Sequence, residues 1–152
     1  HEIFHSFIGA AGQNWPEWVN ESLANYFAWQ MARNSMEEAD LQFIESLLFS
    51  QIPELSILDA QQQKNEGNGS AGWIFYVKGP LFWDAVAESL DLPDQTGVNG
   101  KLAALMQKSR NFDGVDWSDP DAIKKWFDGH SSGRAGSAID KYLTGGQPGN
   151  VE

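Results

Sequence analysis

Two histidines four residues apart open the chain, in His1-Glu2-Ile3-Phe4-His5, and no other stretch constrains the fold as tightly. On an α-helix, positions i and i+4 lie one above the other on the same face. A helix here aims both imidazoles at one point and leaves Glu2, one step round, close enough to reach it. Two neutral nitrogens leave a Zn²⁺ ion needing a third protein ligand and an open position for water. The ion lowers the pKa of that water towards neutrality, and a neighbouring carboxylate takes its proton as it attacks a carbonyl. The spacing therefore predicts a first helix over about 1–10, with His1 and His5 as metal ligands and Glu2 as general base. With three histidines in 152 residues, a chance match to this pattern is expected only roughly a few times in a thousand chains. The plain alternative is a polar, exposed first turn that holds no metal.

The candidate third ligand is Glu21. The stretch from Trp15 to Ala28 reads as the front of a second helix, over about 16–33, with Pro16 suited to a first turn where a missing N–H costs nothing. Val19, Leu23, Tyr26, Phe27 and Met31 recur at helical spacing. Glu21 lies on a different face, with Ala24, Asn25 and Ala28 at i+3, i+4 and i+7. The alanines would let this helix press close to the first. A buried carboxylate so flanked needs a partner, because an unpaired buried charge is very costly, and a cation is one such partner. The alternative is an ordinary exposed glutamate. Gly9-Ala10-Ala11-Gly12 is expected to break the first helix and let the chain turn back.

These residues resemble the gluzincin metallopeptidases, and more narrowly the aminopeptidase group that includes the M1 and M61 (glycyl aminopeptidase) families. Trp18-Val19-Asn20-Glu21-Ser22-Leu23-Ala24-Asn25-Tyr26 is similar to that group's W-L-N-E-G-x-A-x-Y. The resemblance implies zinc held by His1, His5 and Glu21, with Glu2 as general base. Tyr76-Val77-Lys78-Gly79 resembles the group's Y-x-K-G, which implies that the Tyr76 hydroxyl steadies the oxyanion on the scissile carbonyl, a role that a phenol near a cation suits. The ring of Pro80 conflicts with the carbonyl four residues back, so the regular helix is expected to begin near Gly79-Pro80, with Tyr76 at its entrance. Read without the resemblance, Tyr76 is a packing tyrosine beside Trp73, Phe75 and Phe82. A weaker likeness lies in Ile139 to Pro148, which looks like the close of such a catalytic domain. The spacer of 15 residues between His5 and Glu21 is shorter than the M1 pattern, and Ser22 replaces the usual glycine. Both departures bear on the exact family.

Composition bounds the rest. A chain of 152 residues is one domain or part of one. Seven Trp and nine Phe are ample for a core. A net charge of −11 makes nucleic acid an unsuitable partner, since phosphate binding needs a basic stripe, and argues weakly for substrates that are neutral or positive. Without cysteine there are no disulfides and no thiolate metal sites. No apolar run approaches the roughly 18 residues of a membrane helix, and no stretch of the sequence reads as a signal peptide. Compartment and oligomeric state stay unassigned. The resembled families carry a sheet-bearing segment ahead of the histidine motif. The chain opens instead on a candidate ligand, so it reads as a piece of a longer protein.

The expected fold is all-α, the helical part of a gluzincin, thermolysin-like catalytic domain over 1–144, with a flexible tail over 145–152. Ser35 with Glu38 reads as a capping box that starts a third helix to about Phe49, with Leu41, Ile44 and Leu48 on one face. Gln61 to Gly72 is polar and Gly-rich and reads as a flexible loop. A buried helix follows over about 79–90, rich in Phe82, Trp83 and Val86, and Gly97 to Gly100 separates it from a helix over about 101–109. Ser118 is expected to cap another, with Asp119 and Asp121 in its first turn, before a loop from Gly129 to Gly136 and a last helix over about 137–143. His130 and Arg134, in that loop, read as surface residues.

The leading expectation is zinc-dependent peptide hydrolysis by an aminopeptidase, through zinc-bound water with Glu2 as base and Tyr76 as oxyanion donor. The alternatives are a non-catalytic or truncated metal-binding or interaction domain of the same fold, a zinc hydrolase acting on a non-peptide bond such as an epoxide, and a copper oxygenase using an N-terminal histidine, which would need a flat site on a β-sandwich.

Overall fold

The computed structural model describes residues 1–8, 14–93 and 97–145. Among them no strand occurs, and the chain is all-α. In chain order come α1 (Glu2–Ile8), α2 (Glu17–Ser35), α3 (Glu38–Phe49), α4 (Ile57–Asn65), a 3₁₀ turn (Gly69–Trp73) running into α5 (Ile74–Ser89), α6 (Gly97–Lys108), α7 (Pro120–Asp128), and a short α8 (Gly136–Ala138) that widens into a π-helical turn (Ile139–Thr144). The predicted break at Gly9 to Gly12 lies outside the described residues, as does the predicted tail beyond Gly145. No helix among the described residues is long and apolar enough to cross a membrane.

The core forms where α2 crosses α5. Trp18, Val19, Leu23 and Tyr26 from α2 and Phe75, Phe82, Trp83 and Val86 from α5 are fully buried, which fits their helical spacing. Burying aromatic side chains of this size contributes several kcal/mol in all, at about 25 cal/mol per Å². The two helices approach closely because Gly79 faces Ser22. A Cβ on residue 79 would lie 2.3 Å from the Cβ of Ser22. Ser22 is itself buried, and its Oγ accepts a hydrogen bond from the Trp83 indole at 2.7 Å.

Trp83 stacks on Trp18 at 6.0 Å and on Phe112 at 5.7 Å between ring centroids, and Trp117 and Phe127 close the aromatic nest. Phe112 reaches it through three consecutive left-handed residues, Arg110, Asn111 and Phe112, with φ of 51°, 59° and 60°. Such backbone costs roughly 1–2 kcal/mol per non-glycine residue, and the buried phenyl ring offsets it. Arg110 is exposed, so Arg110→Gly is expected to relieve strain without loss of packing and to stabilise the fold by about 0.5–1 kcal/mol. A denaturant midpoint that rises at constant slope would confirm it, and a fall would show that the Arg110 side chain matters.

Several boundaries differ from the sequence expectation. Pro80 lies inside α5, which begins five residues before Gly79. Gln61 to Gly72 is mostly helical: α4 occupies its start and the 3₁₀ turn its end. Ser56 caps α4 by accepting from the Asp59 N–H at 3.0 Å, and Gln61–Asn65 and Gln62–Glu66 side-chain bonds run along it. Ser35 is no cap. It ends α2, and its hydroxyl turns back to the Met31 carbonyl at 2.7 Å, so α3 starts at Glu38 without a side-chain cap. No residue of α3 is fully buried, and Phe43 and Leu47 stand exposed. Met31, placed on the apolar face of α2 by its spacing, is also exposed. α6 already begins at Gly97. α7 is capped by Asp119, which accepts from the Asp121 N–H at 2.9 Å, while Ser118 bonds to Asp116 instead.

Candidate metal centre

α1 lies against α2, with Phe4 stacked on Phe27 at 5.4 Å. That contact turns His5 on α1, and His1 directly ahead of it, towards Glu21. The two imidazole Nε2 atoms are 2.9 Å apart. Glu21 Oε2 lies 3.3 Å from the His1 Nε2 and 3.5 Å from the His5 Nε2. All three side chains are partly buried. Donors bound at about 2.0–2.1 Å around a tetrahedral ion are separated by roughly 3.3 Å, and the three separations bracket that value. The donor set of two imidazole nitrogens and one carboxylate oxygen is one that zinc accepts while keeping a position open. Among the described residues this is the one group of three or more His, Asp or Glu side chains close enough to share an ion. The His1 Nδ1 is buried and makes no hydrogen bond among the described residues, so the outer support usual for a metal-bound histidine is not seen there.

Tyr76 completes the cluster from α5. Its hydroxyl donates to Glu21 Oε2 at 2.7 Å, and its ring lies 5.6 Å from that of His1. It is 40% exposed, so it is not the core tyrosine that its aromatic neighbours in sequence invite. The hydrogen bond to the Glu21 carboxylate, followed by partial burial, pushes the phenol up to about 12. Tyr76 therefore stays protonated, and able to donate, throughout the physiological range.

Glu2 is exposed on the first turn of α1. Its carboxylate contributes to raising the Tyr76 pKa, which puts it within electrostatic reach of the cluster, but no hydrogen bond joins it to His1, His5, Glu21 or Tyr76.

The rest of Tyr76-Val77-Lys78-Gly79 is structural. Lys78 is buried, and its ammonium donates to the Leu55 carbonyl at 2.7 Å and the Glu54 carbonyl at 3.2 Å, pinning the turn ahead of α4 to α5. Burial lowers its pKa. Gly79 gives the close approach to Ser22. His130 and Arg134 take no part in the cluster. His130 stacks on Trp126 at 4.4 Å between ring centroids, and burial lowers its pKa. Arg134 donates to the Ser89 carbonyl at 3.0 Å and pairs with Asp91, closing the C-terminal end of α5.

No family model, curated protein or solved structure matches the chain.

Proposed function

We propose that the chain carries the metal centre of a zinc-dependent peptidase, with His1, His5 and Glu21 as ligands, and that the activity is that of an aminopeptidase. The observation that supports this most is the triangle of two imidazole nitrogens and a carboxylate oxygen at 2.9, 3.3 and 3.5 Å. A second support is the resemblance of Trp18–Tyr26 and Tyr76–Gly79 to the gluzincin aminopeptidases. Bound zinc would supply Lewis-acid activation of water. Glu2 takes the water's proton and passes it to the leaving amine. Tyr76, held as a neutral phenol, donates to the oxygen on which negative charge develops.

A non-catalytic metal-binding domain of the same fold is the competing reading. Zinc content and peptide turnover, measured together on the full chain, separate the two. The expected result is one zinc per chain and faster cleavage of an unblocked peptide than of its N-acylated form, by about tenfold or more. Equal cleavage of both would remove the aminopeptidase assignment. One zinc with no turnover would leave the binding domain.

A further inference from the structure

We infer that Asn25 is a positioning residue for Tyr76 and acts on its backbone rather than on its ring. The catalytic consequence rests on the peptidase reading above, whereas the geometry does not. In a helix interior the carbonyl of residue i accepts from the N–H of residue i+4. For Tyr76 that donor would be residue 80, which is proline and has no N–H. Pro80 nevertheless lies inside α5, and the Asn25 Nδ2 donates to the Tyr76 carbonyl at 2.7 Å. An amide side chain from α2 therefore replaces the bond that the proline removes.

Asn25 stands one helical turn after Glu21. The Glu21 carboxylate receives the Tyr76 hydroxyl at 2.7 Å, so successive turns of α2 hold residue 76 at both ends, one through the phenol and one through the carbonyl. The two anchors are not equivalent. A cation seated among His1, His5 and Glu21 competes with the phenol for the same Oε2 atom. The Asn25 bond involves no ligand atom, so it persists when Glu21 is engaged. It fixes the backbone from which a phenol that is 40% exposed, and little restrained by packing, must reach a developing charge. Small displacements of such a group are costly to a reaction.

The prediction for Asn25→Ala in the zinc-loaded full chain is unchanged zinc content, an unchanged KM for an unblocked peptide, and a kcat lower by about tenfold. In a Tyr76→Phe background the same substitution changes kcat by less than about twofold, because the group being positioned is gone. Pro80→Ala restores an N–H that can serve the Tyr76 carbonyl, so in that background the loss from Asn25→Ala shrinks. A readout independent of activity comes from the ring signals of the three tyrosines in an NMR spectrum. Asn25→Ala is expected to move those of Tyr76 and leave those of Tyr142. Equal losses of kcat with and without the Tyr76 hydroxyl would overturn the inference, as would Tyr76 ring signals that do not move. If the zinc-loaded wild-type chain cleaves nothing, the peptidase reading fails, and the NMR comparison still decides the positioning role.

Discussion

On the peptidase reading, replacing Glu2 with glutamine is expected to leave zinc in place and to lower peptide hydrolysis by about a thousandfold. Glutamine keeps the size of the side chain and its helix-forming tendency, and none of the three candidate donors belongs to residue 2. What disappears is a carboxylate able to take and return a proton, and general bases contribute typically 10²–10⁴-fold. A thousandfold loss is about 4 kcal/mol of barrier, large enough to stand clear of any effect on folding. Zinc content and kcat must be measured on the same preparation. A variant within about tenfold of wild type, below what a general base ordinarily supplies, would show that another group takes the proton. Loss of zinc along with activity would show instead that Glu2 helps hold the cluster together.

Gly79→Ala is expected to destabilise the chain by about 3 kcal/mol. The new carbon would stand 2.3 Å from the Ser22 Cβ and 3.0 Å from its Cα. Neither atom can swing aside, because Ser22 is in α2 and its hydroxyl is fixed by the Trp83 indole. The helices must part, and Glu21 and Tyr76 part with them, so affinity for any ion held by the proposed ligands should fall as well. Ser22→Gly in the same chain removes the obstructing carbon but leaves the buried Trp83 N–H without its acceptor, at a cost of about 1–3 kcal/mol, so rescue is partial. Urea unfolding of the two single variants and the double variant gives the coupling. A Gly79→Ala chain within about 0.5 kcal/mol of wild type, the range of an ordinary surface substitution, would show that the two helices separate at little cost.

The helical class was readable because nearly every apolar segment repeats at helical spacing. The approach of His1, His5 and Glu21 was readable for a related reason. The i, i+4 pair carries its own geometry, and the small residues Ala24 and Ala28 mark the face of α2 that a neighbour can approach. Other features depend on partners distant in sequence. The rule that proline opens a helix weighs the lost N–H and the ring clash, but Pro80 is tolerated because Asn25, 51 positions before Tyr76, supplies a substitute donor. In α4 only Ile57 and Ala60 are buried, too short an apolar face to stand out from the polar residues that follow. In α3 the periodicity of Leu41, Ile44 and Leu48 shows which residues share a face, not that anything covers it. The Ser35–Glu38 pattern failed because α2 extends far enough for Ser35 to bond to its own helix instead.

Of the three converging donors, His1 directly precedes and His5 lies on α1, which is seven residues long and too short to persist in water unaided. Among the described residues it is held by Phe4 against Phe27, by His1 against Tyr76 and by the approach of both histidines to Glu21. Any ion gripped by His1, His5 and Glu21 would therefore also act as a clasp, and its measured dissociation constant would combine intrinsic coordination with the equilibrium for docking the first helix. Substitutions at Phe4 or Phe27, which offer no lone pair to a cation, would then weaken binding as surely as changes to the ligands themselves.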